Sequence, residues 1–581
     1  MSEAPERPRS RAAALSLGAL ALAYALTAAR FALGGDGGEL AALAARGGVA
    51  HPPGYPLYVL YLRAFAWVPL VPAHRASLAT ALLGVLAVWL LFRAAVSFGA
   101  TRPAAALAAA IYAGAPLAWK TATYPEVFAG NACLALAIAW LSGPMPPVRG
   151  PRRAALLALL AGLGLAHHHT IVLVAPLGLY GFARAVLESP RRGAALALAP
   201  LALVLGLTPY VYDVLAARGT LGPSVIVWGD PSTFSGLAHH VLRADYGTGR
   251  LGAQGHEREP LVQLGYLATR LSRDFLALPL LLVFGLGVAR RRLFAEPRSR
   301  SALLAAIVLA GPVFVTLFNI RPSGLGLEIL ERFHLLPAAL SLVFVAPAFD
   351  GLFARVSARA GALVVAFVFT VQAALAVPQV LEHHGPQVQR YAENVLAIVP
   401  PHAIVVGSGD HRASSFLYAE ARDLRPDVTF VQPWLLLSTS YRARTAARLG
   451  IGLPAPVAGV LDARRLLEVL VATDRPVFVT DWPAPGMERA FPTYPIGPVL
   501  RVVAEPRDVP APPVVLRENE QALSVMQIDG EPPRRGSWAG ALQPDYARPW
   551  LGLAAAFEAA GDGATAAACT ARGRALMPRD D

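Results

Sequence analysis

Apolar runs long enough to cross a bilayer recur through the first 380 residues, and they set the elements the chain is expected to form. Allowing shortened runs where helices are broken, spans fall near 12–33, 76–98, 103–118, 126–142, 153–166, 170–187, 194–213, 275–289, 301–319, 334–349 and 360–378, about eleven in all. From residue 381 the pattern changes. Short β-branched runs, HAIVVGSGD, DVTFVQP and RPVFVTDWP, alternate with helical stretches such as 414–422 and 462–472, which predicts a small α/β domain over 381–506. Residues 507–544, rich in proline and charge, read as a linker. Residues 545–581 read as two antiparallel helices turning at Gly561–Gly563, one TPR-like helical hairpin. The expectation is an α-helical multi-pass membrane domain over 1–380, followed by these three outer parts.

Arginine placement orients the spans, because cytoplasmic loops hold the excess of positive charge. With the N-terminus inside, the inner loops and adjoining span ends hold Arg93 and Arg102, then Arg149, Arg152 and Arg153, then Arg184, Arg191 and Arg192. Next come Arg290, Arg291, Arg292, Arg298 and Arg300, and finally Arg355 and Arg359. Reading 153–187 as one span would put Arg184, Arg191 and Arg192 outside and invert every later loop, so two short helices are expected to meet at His167, His168 and His169. The soluble C-terminal part then lies outside. In this topology Asp36, His51, Glu126, the histidine triplet, Asp230, Glu331 and Arg332 all fall on the outer face. Ionisable groups at span ends are costly unless they line a filled cleft, so a shared cavity is expected there.

Composition agrees with the membrane reading: 55% of the 581 residues are hydrophobic, only 15% are charged, and the mean hydropathy is +0.48. The net charge of +13 fits arginine-rich inner loops, and no basic stripe interleaved with aromatics points to nucleic acid. The two cysteines, Cys133 and Cys569, provide neither a disulfide framework nor a thiolate metal cluster. The first apolar run is too long, and lacks the cleavage site, for a signal peptide, so it is read as a retained helix of a bacterial inner-membrane protein.

The stretch GGDGGELAALAARGGVAHPPGYPLY, residues 34–58, carries the densest candidate chemistry. Glycines 34, 35, 37 and 38 let the chain turn tightly around Asp36, and Pro52, Pro53 and Pro56 stiffen the exit past His51. If a short helix begins at Glu39 and runs to Arg46, Asp36 sits at its positive end, where an ionised carboxylate is favoured and stays available as a base. The plain structural alternative is that Asp36 only caps that helix. Glu126, after Pro125, is either a ligand contact or an acid suited to a first helical turn. His167, His168 and His169 lack the acidic or cysteine spacing of a structural zinc site, which leaves a polar hinge or a contact to phosphate or sugar. Asp230, in WGDPSTF, is a loop turn or an acceptor or donor contact. Arg243 and Arg332 suit the anionic part of a ligand, because guanidinium bonds phosphate in a bidentate, charge-assisted way; Glu331 beside Arg332 would serve equally as an ion-pair partner.

No P-loop, dinucleotide glycine fingerprint or HExxH occurs, which sets aside ATP-driven transport, nucleotide cofactors bound by those motifs and zinc peptidase chemistry. The energy of a reaction would then come with its substrate, as in a lipid-linked activated sugar. A glycolipid transporter or flippase is the competing class, since broken helices and charged cavities serve transport too, but no repeat relates the two halves of the chain.

The runs DGGELAALAARGGVAHPPGYPLY, YPEVF, WGDPSTF with VLRADYG, ERFH, and SGDHRASSFLYAEARDLRPDV together cover much of 12–435. They resemble the family long labelled domain of unknown function 2723, whose vertebrate branch is the transmembrane protein 260-like proteins. The resemblance implies a GT-C glycosyltransferase fold related to the protein O-mannosyltransferases. It implies a polyprenyl-phosphate sugar as donor, mannose above all, and a hydroxyl of a protein, or of a lipid or surface glycan, as acceptor. In that superfamily an acid of the first outer loop is the base or acceptor-binding group; Asp36 matches it, with Glu39 as companion. Donor and acceptor contacts are then expected from His51, Tyr55, Glu126, His167, His168, His169, Asp230, Arg243, Glu331 and Arg332, with no cofactor and no metal.

Overall fold

The computed structural model describes residues 7–247, 257–289, 297–457, 459–482, 487–528 and 530–580; Arg290, Arg291 and Arg292 of the expected inner loop lie outside the described residues. Among the described residues, five helical runs are long and apolar enough to cross a membrane: Pro72–Ser97, His169–Leu187, Arg192–Ala217, Leu325–Phe353 and Ala358–Ile398. Pro116–Ala122 and Val127–Ser142 pass the same test together but are bent by 109° at the break. Arg11–Thr27 and Leu278–Gly287 are shorter apolar helices. Proline and capping residues break several of the other expected runs. The first helix stops at Thr27 rather than 33, and the chain then runs on with Ala29 N–H donating to Thr123 O at 2.8 Å. The expected span 103–118 is divided at Ala115, just before Pro116. The expected break at the histidine triplet is present: Gly150–His167 ends, His168 is extended at φ −159°, and a 3₁₀ turn leads into Ala175–Leu187.

Leu15, Leu26, Leu179, Leu201, Val204, Leu280 and Leu363 stand exposed on these helices, as lipid-facing side chains do, while alanine-rich faces pack inward and let the helices approach closely.

The region after the last long helix forms a five-stranded sheet. With β1 (Gly48–Val49) and β2 (Ile226–Val227) pairing separately in parallel, the larger sheet comprises β3 (Ile404–Val406), β4 (Thr429–Val431), β5 (Val477–Val479), β6 (Thr493–Ile496) and β7 (Val499–Val502), in the order β4-β3-β5-β7-β6. The β3 strand is parallel to β4 and β5, while β7 runs antiparallel to β5 and β6. The expected linker contains a 14-residue helix, Pro512–Val525, because Val515, Asn519 and Ala522 share a face that buries itself, with Asn519 accepting from Gly497 N–H at 2.8 Å. Gln543–Ala559 and Gly563–Ala575 form the final helical pair. Asp545, 1% exposed, ties this pair inward by accepting from Arg412 Nε at 2.8 Å and Tyr391 Oη at 2.9 Å.

The C-terminal region grips the first loop of the membrane part. Ser414 Oγ donates to Gly35 O at 2.5 Å, Arg46 pairs with Asp423, and Trp538 lies across Gly34 and Gly35. A Cβ on Gly34 would overlap the Trp538 side chain, so the glycine is required by close approach.

Candidate active site

The helix carrying the first-loop acids starts at Asp36, three residues earlier than expected, and ends at Arg46. Its N-cap is Gly35 at φ 61°, with no side-chain cap bond, so Asp36 is not the cap. Its carboxylate accepts instead from Arg332 Nη1 at 2.8 Å. The same nitrogen donates to Glu126 Oε1 at 2.5 Å, and the guanidinium lies 5.5 Å from the Phe128 ring centre. Arg332 thus joins the first loop, the break between the two halves of the bent span, and the turn after Leu325–Glu331.

Glu39, on the same helix and 6% exposed, holds the chain at His51: Oε1 accepts His51 N–H at 2.8 Å and Oε2 lies 2.6 Å from Nδ1. Tyr55 Oη is 3.0 Å from His51 Nε2, and His51 Nε2 is 3.9 Å from Asp36 Oδ1. Burial alone would lower the His51 imidazole; the charges of Glu39 and then Asp36 outweigh it and hold the pKa at about 9. Burial would likewise raise Asp36, but Arg332 and His51 outweigh it and keep that carboxyl below its ordinary value. Near neutrality the site therefore presents a carboxylate, an imidazolium and a guanidinium side by side.

The remaining expected residues divide. Tyr55 stacks on His168 with ring centres 5.7 Å apart and planes 6° apart, and His168 Nδ1 bonds Thr170 Oγ1 at 2.6 Å. His167 donates Nε2–H to Val127 O at 2.8 Å, bracing the residue after Glu126, whereas His169 Nε2 is 3.4 Å from Tyr210 Oη. Two of the triplet thus pack on the first-loop stretch: His168 on Tyr55, and His167 edge-on against Tyr58 with ring centres 5.5 Å apart. Arg243, at φ 54°, lies over Tyr246 at 4.9 Å and within electrostatic reach of Asp36, His51 and Tyr55. Glu331 pairs with Lys120 and, at 2.7 Å, with Arg270, so its carboxylate braces the backbone next to Arg332. Asp230 is exposed and accepts from Ser232 Oγ at 2.7 Å within its own turn. Tyr124, 3.5 Å from Glu126 Oε1, and Lys120 were not singled out in the sequence; their places in YPE and WKTATYPE, beside Glu126, were the available signal.

Asp36, Glu39 and His51 offer ligand atoms within 4.8 Å of one another, the set that could hold a metal ion. Arg332 and the His51–Glu39 bonds already supply the balancing positive charge.

Residues 36–186 match the family described as the protein O-mannosyl-transferase TMEM260 N-terminal domain. Protein O-mannosyl-transferase TMEM260 of Mus musculus is 29% identical over 475 residues, covering 76% of this chain and 66% of the mouse protein. The chain resembles the TMEM260 family. The Dictyostelium discoideum protein O-mannosyl-transferase tmem260 is 26% identical over 281 residues, covering 43% of this chain and 34% of that protein. This chain thus spans just under two thirds of the mouse TMEM260 protein and about a third of the Dictyostelium one. Among solved structures, ArnT from Cupriavidus metallidurans in the apo state superposes with a TM-score of 0.53 at 13% identity, covering 86% of this chain and all of ArnT. The same protein bound to undecaprenyl phosphate gives 0.50 at 14% identity, covering 86% and 99%. These likenesses show that the chain shares the fold of ArnT.

Proposed function

We propose that this chain is a membrane glycosyltransferase that moves a sugar, mannose foremost, from a polyprenyl-phosphate donor to a hydroxyl of a protein acceptor at the outer face of a bacterial inner membrane. The TMEM260 relatives support the transfer and the acceptor class. The fold shared with ArnT, which has been crystallised with undecaprenyl phosphate, supports the donor class. The arginine pattern supports a multi-pass chain of about eleven spans with the N-terminus inside and the α/β domain and terminal helices outside.

The observation that carries the reading is Arg332 bridging Asp36 and Glu126 beside the His51–Glu39 pair. In a single displacement the acceptor oxygen attacks the anomeric carbon, the bond from that carbon to the lipid phosphate breaks, and the configuration inverts. Asp36 takes the hydroxyl proton, and the electron pair leaves with the phosphate. Arg332 and Arg243 are the cations that meet the charge gathering on the departing phosphate, a stabilisation that acts most strongly where water is excluded. A positioned general base contributes roughly 10²- to 10⁴-fold. His51, charged near neutral pH, is a donor to ligand oxygen rather than a base.

Purified protein in lipid, given radiolabelled polyprenyl-phosphate mannose and hydroxyl-bearing peptide, tests this directly. Wild type transfers label, and Asp36→Asn, folded equally well in the membrane, does not. Wild-type turnover by Asp36→Asn would overturn the base assignment; binding of the lipid by wild type without transfer of label would overturn the enzyme reading in favour of transport.

A further inference from the structure

Three acids of the membrane part at the cleft are engaged by cations. Asp36 and Glu126 share Arg332, and Glu39 holds His51. The α/β domain adds another. Asp410 opens the 12-residue helix Asp410–Ala421 directly after Gly409, whose φ of 86° turns the chain inward. Asp36, His51, Glu39 and Arg332 are among the charged groups within its electrostatic reach, and so is Tyr246. Its side chain is exposed and makes no hydrogen bond or ion pair among the described residues.

Its placement is closely held. Ser414 Oγ lies 2.5 Å from Asp410 O and 2.5 Å from Gly35 O, so one hydroxyl fixes the first turn of the outer helix against the residue that precedes Asp36. Gly38 makes the approach feasible, since a Cβ there would stand 2.8 Å from Ser414 Cβ. A lipid-borne donor enters through the bilayer, whereas a water-soluble acceptor comes from the outer side, the side on which Asp410 is exposed. A free carboxylate at that mouth accepts hydrogen bonds from N–H and O–H groups, which a polypeptide presents on either side of a reacting hydroxyl.

We propose that Asp410 of the outer domain is an acceptor-binding residue, receiving hydrogen bonds from the polypeptide acceptor while the membrane part holds the donor. This rests on the transferase reading above, and it makes the outer domain a working part of the site.

The test uses the full chain in lipid with polyprenyl-phosphate mannose and a serine- and threonine-bearing peptide, varying each substrate in turn. A charge-assisted hydrogen bond corresponds to roughly ten- to a hundredfold in binding. Asp410→Asn is therefore expected to raise the peptide KM about tenfold or more without a matching rise in the donor KM, and Asp410→Glu to recover part of the loss. Equal peptide KM in wild type and Asp410→Asn overturns the proposal while leaving the transferase reading intact, as does a fall in kcat at saturating peptide with KM unchanged. A wild type that transfers nothing to any peptide overturns the transferase reading itself, and this proposal with it.

Discussion

Replacing Glu39 with glutamine keeps the shape of the His51 clamp and removes its charge. In the native site the His51 imidazole stands at about 9 against 6.5 for a free histidine, because Glu39 and then Asp36 outweigh the effect of burial. That difference corresponds to about 3 kcal/mol at about 1.4 kcal/mol per pKa unit. The pair is mostly shielded, with side-chain exposures of 13% and 8%, and Asp36 supplies part of the field, so about 2 kcal/mol falls to Glu39. The folded pKa is the raised one, so the stabilisation is fully present below about 6.5 and is lost as pH rises through about 9. Glu39→Gln is therefore expected to lose about 2 kcal/mol at pH 6 and almost nothing at pH 10. Unfolding of the detergent-solubilised protein, followed by tryptophan fluorescence at the two pH values, reads this difference without needing a substrate. The rate profile gives a second reading: the alkaline fall in kcat/KM should move from about 9 to about 7.5 in the variant. Equal destabilisation at both pH values, together with an unmoved alkaline limb, would refute the charge argument and leave Glu39 a shape-filling residue.

Two further outcomes follow from contacts already described. Gly34→Ala drives a methyl into Trp538, its Cβ and ring alike, and should loosen the C-terminal region from the first loop, lowering the unfolding temperature by several degrees, while the added substitution Trp538→Gly, which removes that Cβ with the ring, should restore part of the loss. Unfolding of the single and double variants checks it, and additive losses would show that the two residues do not meet. Chelation by EDTA should leave transfer of labelled mannose unchanged, because Arg332 and His51 already neutralise the carboxylates a metal would use; loss of transfer restored by a divalent cation would show that the Asp36, Glu39 and His51 set is a metal site.

The sequence showed the broken membrane helices and the cluster in the first loop more clearly than it showed the boundaries of either. Hydropathy locates apolar runs, but it does not register that Ala115 leaves helical geometry and divides its run into pieces shorter than a span, whereas the break at His168 was legible from the placement of Arg184, Arg191 and Arg192. Asp36, His51 and Arg332 could be gathered on one face by counting spans, since charge placement and helix number fix the side of each loop. The partners of Glu331 could not. Lys120 and Arg270 are brought to it by tertiary packing between residues far apart in the chain, and neighbourhood in the sequence gave only Arg332. Asp230 lay in a motif as distinctive as that of Asp36, yet it spends its carboxylate on a local turn. A motif's composition alone carries no direction. The helix in the supposed linker was hidden by the prolines at its start, which end a preceding element but are equally suited to open a new one.

The short helix that bears Asp36 is fastened to the α/β domain near both of its ends, through Gly35 and Ser414 at one and Arg46 and Asp423 at the other. For anyone recombining such proteins, the working seam therefore runs between that helix and the rest of the membrane part, and a graft of a foreign outer domain would have to bring the first loop with it as a matched pair.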